Sequence, residues 1–200
     1  MRARREEELN PYIAFGDLTL NLVFIMIFFL AALLAVGQAG WEQVRFKNAQ
    51  EAVRAAIERA SFSERPVLLD PKLRNDPPGA QRWAFPGRRV QMFKPGTAVL
   101  TPQGRVVFLE FARALRSELR WRRIRVEGHT MPPFEGRQES WSLSALRAAA
   151  VADVLTREGG ILAWQLAVAG RGGQVRFNGN AGSPRDPVNE RVEVVVEFAE

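Results

Sequence analysis

From Leu18 to Val36 the chain carries no charge, and only Thr19 and Asn21 are polar. About 20 apolar residues suffice to cross a bilayer as a helix. Asn10 is suited to cap such a helix and Pro11 to open it, so the pattern predicts a membrane helix over 11–37. The run is hydrophobic all round, unlike the single apolar stripe of a surface helix in a soluble domain. A cleaved signal peptide would want a shorter apolar core. One carboxylate, Asp17, falls in the second turn.

Beyond the run the periodicity changes. Over 38–60, Ala49, Ala52, Val53, Ala56, Ile57 and Ala60 recur at helical spacing among charged residues, which predicts an amphipathic helix beside the membrane. Its small side chains allow close approach either to the outer domain or to a second copy. A lone helix of this length is marginal in water, and pairing with the same helix of a second copy is the expected source of order. Residues 61–87, with "DPKLRNDPPG" and "FPG", read as a connector with little regular structure.

A globular pattern is expected over 88–200. "RVQMF" (89–93) alternates as a strand. Thr101 and Pro102 open a helix whose buried face is Phe108, Phe111, Ala112, Leu115 and Leu119. Residues 123–128 alternate as a second strand. Residues 144–158 form a helix with the core face Ala148, Val151, Ala152 and Leu155, ended by Gly159-Gly160. Residues 166–172 and 191–198 supply further strands. This interleaving predicts an α/β sandwich behind a single N-terminal membrane helix.

Composition narrows the chemistry. Cysteine is absent and His129 is the sole histidine, which removes disulfides and a histidine-rich metal site within one chain and leaves Ser-His-Asp catalysis little to work with. No enzyme activity and no cofactor are expected. The net charge is +6, with both signs spread along the chain. The basic stretch 116–125 reads as a solvated helix end and loop, not as a nucleic-acid surface. Arg2, Arg4 and Arg5 before the apolar run favour a cytoplasmic N-terminus, residues 1–10, by the positive-inside rule.

Spaced motifs sharpen the picture. Gly128-His129-Thr130 ends a strand. Leu143-Ser144, Arg147-Ala148 and Val151 follow on a helix. Gly170 and Gly172 come next, then Asn189, Arg191, Val192 and Glu193. In this order they resemble the OmpA-like peptidoglycan-binding domain, over about residues 88–199. The resemblance implies a βαβ-containing fold and a peptidoglycan site formed by Arg147, Thr130, Ser140 and Arg191. With the helix opening at Ser144, Arg147 would lie in its first turn. There its charge and the free amides would hold the carboxylate of a diamino acid. The sequence departs from the family pattern at three places. Met131 replaces the aspartate that meets the ligand ammonium, Ser140 replaces an asparagine, and Glu190 replaces the first arginine of Asn-Arg-Arg. Glu135 or Glu139 could supply the missing carboxylate.

A short basic start, one apolar helix with Gly16-Asp17-Leu18-Thr19 near its head, and an OmpA-like domain together resemble the MotB-type B subunits of ion-driven motors. The resemblance implies Asp17 as carrier of a proton or a sodium ion, and a dimer inside a ring of a polytopic MotA-like partner. It places the chain in the bacterial inner membrane with its C-terminal domain periplasmic. It also leaves open a cell-wall tether without ion flow, and a motor serving Zorya-type antiphage defence instead of flagellar rotation.

Overall fold

The computed structural model describes residues 11–69, 76–77, 79–118, 120–131, 141–177, 183 and 186–198. The chain divides into two units, Met1–Arg45 and Phe46–Glu200. The first unit is helical throughout its described part, within a helix α1 assigned to Pro11–Arg59. From Phe15 to Val36 every side chain is exposed, including Phe24, Phe28, Phe29 and Leu33. Among the described residues this is the one helix long and apolar enough to cross a membrane. Packing within the chain cannot account for so continuous an apolar surface, whereas lipid or partner helices can cover it.

The second unit is a five-stranded sheet with helices on one face. Its elements are β1 (Val67–Leu69), β2 (Gln81–Phe85), α2 (Pro102–Arg116), β3 (Trp121–Gly128), α3 (Trp141–Arg157), β4 (Leu166–Gly170) and β5 (Val192–Phe198). The strand order is β1-β2-β5-β3-β4; only β3 and β4 are parallel, joined through α3. β5 is central, and five consecutive residues of it, Val192 to Val196, are buried. That run is the mark of a strand covered on both faces.

Alternation sorts the side chains. Trp83, Phe85, Ile124, Val126, Val192, Val194 and Val196 join Phe108, Phe111 and Leu115 of α2 and Ala148, Val151 and Leu155 of α3 in the main core. Phe85 packs 5.0 Å from Phe108 and 5.1 Å from Phe111, ring centre to ring centre. Thr101 caps α2 as expected, its hydroxyl accepting from the Gly104 amide at 2.9 Å. Gly160, at φ 70°, ends the segment after α3 in a left-handed conformation. Leu119 lies outside the described residues.

Three expectations are corrected. The stretch 61–87 is not without regular structure: β1 and β2 lie in it, and β2 pairs with the central strand through all five of its residues. The proline and charge of 70–79 mask a strand whose own pattern, "QRWAF", places Trp83 and Phe85 on the core face. Residues 89–93 do not form a strand. The buried Glu64 carboxylate instead accepts the amides of Arg88, Arg89 and Val90 at 2.6–2.8 Å, leaving a bend where a ladder would need those donors. Finally, the small-residue stripe does not await a second copy. Ala49, Val53, Ala56 and Ile57 are buried within the same unit, three of them in the main core. Gln50 donates to the Gly79 carbonyl and Gln81 donates back to the Gln50 carbonyl. The compact outer unit therefore begins at Phe46, well before residue 88.

Candidate functional site

The motif glycines Gly128 and Gly170 have a steric role. β3 ends at Gly128 and β4 at Gly170, side by side in the parallel ladder. A Cβ on Gly128 would come within 1.9 Å of the Ser144 carbonyl, and one on Gly170 within 2.8 Å of the Ala145 amide. Only glycine lets the first turn of α3 settle onto these strand ends. Ser144 is buried; its hydroxyl donates to the Trp141 carbonyl and accepts from the Gly172 amide at 3.0 Å. Thr130 donates its amide to the Gly172 carbonyl, and His129 donates its amide to Arg191. The Gly-His-Thr segment, the start of α3 and the approach to β5 are thus bonded into one corner of the sheet.

Arg147 stands at this corner, one turn along α3 from Ser144. It is 3% exposed. Its Nε donates to the Thr97 carbonyl at 2.9 Å, its Nη1 is paired with Glu190, and its guanidinium carbon lies 5.0 Å from the centre of the Phe93 ring. Because α3 opens at Trp141, Arg147 occupies its second turn, and the first-turn placement is corrected. The free amides of the helix start belong to earlier residues. What orients Arg147 is the Phe93 ring, the Thr97 carbonyl and Glu190. Residue 190 is one of the three positions at which the sequence departs from the pattern it resembles.

Thr130 is buried, and its hydroxyl has no hydrogen-bond partner among the described residues. Ser140, Glu135 and Glu139 lie outside the described residues. Arg191 is directed elsewhere. It donates to Glu193 at 2.6 Å and to the carbonyls of Asn189 and Val175, with its guanidinium 5.4 Å from the Phe177 ring centre. No described contact brings it to Arg147.

Arg191 belongs to an ionic network that the sequence reading missed. On the sheet face away from the helices, Glu127 and Glu193 stand opposite each other across β3 and β5. Like charges so placed repel, and arginines intervene. Arg82 bonds both carboxylates and grips Asp76 with two nitrogens, at 2.6 and 2.8 Å. Arg125 reaches Asp76, Glu127 and Glu197, while Arg171 adds a 2.6 Å bond to Glu127. Four arginines thus face four carboxylates. Burial pushes the Glu127 carboxyl up, but Arg171 and Arg82 outweigh it and bring it down to about 2. Glu193 is likewise held well below the usual carboxylate range: burial opposes ionisation, and His129, Arg191 and Arg82 overcome it. His129 is fully enclosed, and burial pushes its imidazole down despite Glu193 at 3.4 Å.

Glu127, His129 and Glu193 each offer a ligand atom within 4.8 Å of the others, a spacing a metal ion could use. The donor set does not fit one: every oxygen of the two carboxylates already faces a guanidinium. A divalent cation would meet a charge-balanced, arginine-lined cluster. The cue for this network in the sequence is Glu193 and Glu197 inside "VEVVVEF", a strand too apolar to leave a carboxylate unpaired.

Asp17, in the other unit, is exposed on the apolar helix, with Asn21 donating to it at 3.4 Å one turn on.

Comparison with known proteins agrees with this geometry. Residues 92–190 match the OmpA family. No curated protein matches the chain. Among solved structures, the periplasmic domain of Helicobacter pylori MotB is 20% identical, covering 67% of this chain and 89% of its own, with a TM-score of 0.52. A putative MotB-like protein from Desulfovibrio vulgaris is 20% identical, covering 78% and 96%, also at 0.52. The cell wall anchor of the T6SS from Pseudomonas aeruginosa is 28% identical, covering 68% and 89%, at 0.50. These likenesses show the fold of the outer unit, and the helix over Phe15–Val36 is long and apolar enough to cross a membrane once. The chain carries an OmpA-like domain of the kind seen in MotB and MotB-like proteins, preceded by an apolar helix able to cross a membrane.

Proposed function

We propose that this chain is the B-type, axle-forming subunit of a two-component ion-driven membrane motor. The observation that carries the reading is Asp17. It is the sole ionisable residue between Phe15 and Val36, on an exposed helix segment where only Thr19 and Asn21 are otherwise polar. A carboxylate in such a helix is costly and normally faces a partner or a water-filled path. Two copies inside a ring of a MotA-like polytopic protein would give it both. Asp17 would take up and release a proton, or bind a sodium ion, as the ion crosses. One charge moving through 100 mV releases about 2.3 kcal/mol. Arg2, Arg4 and Arg5 favour a cytoplasmic N-terminus. The OmpA-like domain, periplasmic in this topology, would hold peptidoglycan through the Arg147 corner, so that the ring turns against a fixed axle. The output is either flagellar rotation or a Zorya-type defensive motor.

A second reading, a cell-wall tether with no ion flow, draws support from the likeness to the T6SS cell wall anchor. One experiment separates them. The chain is expressed with the polytopic protein that co-purifies with it, the complex is placed in liposomes, and ion flux is followed under an imposed potential. Asp17→Asn keeps the size and a hydrogen-bonding group but cannot cycle a proton. It should assemble normally and abolish flux. Flux unchanged in Asp17→Asn would remove the carrier role, and failure to co-purify any polytopic partner would favour the tether.

A further inference from the structure

We propose that the end of the outer unit opposite the Arg147 corner is a docking surface for an anionic phospholipid bilayer. Arg116 takes a lipid phosphate there, and Leu162 and Trp164 enter the headgroup boundary. The inference goes beyond the motor and tether readings and rests only on the membrane-crossing helix that both share.

Three elements meet at this end. α2 finishes at Arg116, and the Trp121 ring nitrogen at the start of β3 donates to the Leu115 carbonyl at 3.0 Å. The segment before β4 lies alongside, since Leu166 opens β4 opposite Ile124. Between them is a cleft of about 300 Å³ lined by Arg116, Trp121, Gly160, Ile161, Leu162 and Gln165. The Arg116 guanidinium lies against Gly160, where a Cβ would stand 2.7 Å from its Nη1. Arg113, Arg116, Arg120, Arg122 and Arg123 are all exposed. Among the described residues none of them makes a side-chain hydrogen bond or ion pair. Glu118 is the one carboxylate in that stretch. Beside the arginines, Leu162 is 55% exposed and Trp164 is 72% exposed.

This combination selects the occupant. A polyanion in solution would use the arginines and leave Leu162 in water. A second copy would bring like charges face to face. A bilayer with anionic headgroups meets both needs: phosphates pair with guanidinium groups, and tryptophan favours the boundary between headgroups and acyl chains. The chain also enters the outer unit at this end. Gln50 and Gln81 bond each other's segment, and Gln81 pairs with Val196, which pairs with Ile124. Ten residues separate Phe46, where that unit begins, from Val36, where the apolar run ends. Even fully extended they reach at most about 35 Å. The Gly128–Gly170 corner lies at the far end of the same strands, roughly 20 Å along β3.

The test uses the full chain in vesicles of phosphatidylcholine, alone or with one third phosphatidylglycerol. The chain has no cysteine, so Ala163→Cys, exposed beside Trp164, accepts a single nitrobenzoxadiazole label. Gln103→Cys, exposed at the start of α2, is the control. In the anionic vesicles the label at 163 should be shielded from acrylamide and quenched by a nitroxide-bearing lipid. The label at 103 should stay open in both lipids. Arg116→Gln should lower the docked-to-undocked ratio about fivefold, the effect of one basic residue at an anionic surface. Arg116→Lys should retain most of the docking, and Trp164→Ser should weaken it. Equal exposure of the label at 163 in the two lipids, or docking unchanged in Arg116→Gln, would overturn the proposal. So would shielding already present in neutral micelles together with cross-linking between two chains, because the occupant would then be a second copy. Release of the unlabelled chain from vesicles by alkaline carbonate would overturn the membrane-anchor reading and this proposal with it.

Discussion

Replacing Ile57 by alanine tests where the helical segment after the apolar run is held. Ile57 is 1% exposed and lies in the same core as Val53, Trp83, Phe85 and Phe111. The change deletes three side-chain carbons. At about 0.8 kcal/mol per buried CH₂, transfer alone costs roughly 2.4 kcal/mol. The unfilled space beneath α1 raises the expected loss to about 3–4 kcal/mol. For a unit of this size each kcal/mol lowers Tm by about 2–4 °C, so a drop of roughly 6–16 °C is expected. The assay is thermal unfolding of the full chain in micelles, followed by the fluorescence of the buried Trp83 and Trp121. Glu51→Ala, on the exposed side of the same helix, should stay within about 0.5 kcal/mol. The loss should also be independent of protein concentration. If Ile57 instead packed against a second copy, mass action would make the loss shrink at high concentration. Equal effects of the two substitutions, or a clear concentration dependence, would refute the packing described here.

Two more expectations follow from the corner and the network. Gly128→Ala would drive a methyl into the Ser144 carbonyl, so it should destabilise the outer unit by several kcal/mol by the mechanism of overpacking; a melting temperature matching the wild type would contradict that close approach. Stability should also fall as pH falls, in two stages. The imidazole of His129 is depressed in the folded state, so below about pH 6.5 the unfolded chain takes up a proton that the folded chain refuses, and stability is lost at up to about 1.4 kcal/mol per pH unit. Glu127 and Glu193 are also depressed. Their contribution is complete above about pH 4.5 and is lost as pH descends toward about 2. Urea midpoints at pH 7.5, 6, 5 and 4 read this directly, and a flat profile between 7.5 and 5 would exclude a neutral, enclosed His129.

Much of the fold was legible because pattern and packing agreed. The faces of α2 and α3 were read from Phe108, Phe111 and Leu115 and from Ala148, Val151 and Leu155, all of which are buried. β2 was hidden for a physical reason. Its outward-facing Arg82 is charged and its neighbours include prolines, so the segment looks solvated, whereas Arg82 is in fact enclosed by Asp76, Glu127 and Glu193. Polarity predicts exposure only where no partner of opposite charge awaits across the sheet, and the partners here are 45 and 111 positions away. The same long-range pairing hid the Arg147–Glu190 contact. Arg147 itself was found from its motif, but its immediate surroundings come from Phe93, Thr97 and residue 190, which no local spacing brings together.

The order of the sheet also bears on how the domain is made. β5, the last of the five strands along the chain, lies in the middle, and β2 and β3 bond to it and not to each other. Gln81 waits for Val196 across more than half the sequence. Until β5 is synthesised, β1–β2 and β3–α3–β4 are separate fragments with an unclosed core, and Arg82 has no Glu193 to meet. Such non-local closure is slow. While the ribosome is still at work the polypeptide therefore stays open and threadable, the condition in which a chain can be passed across a membrane before it folds.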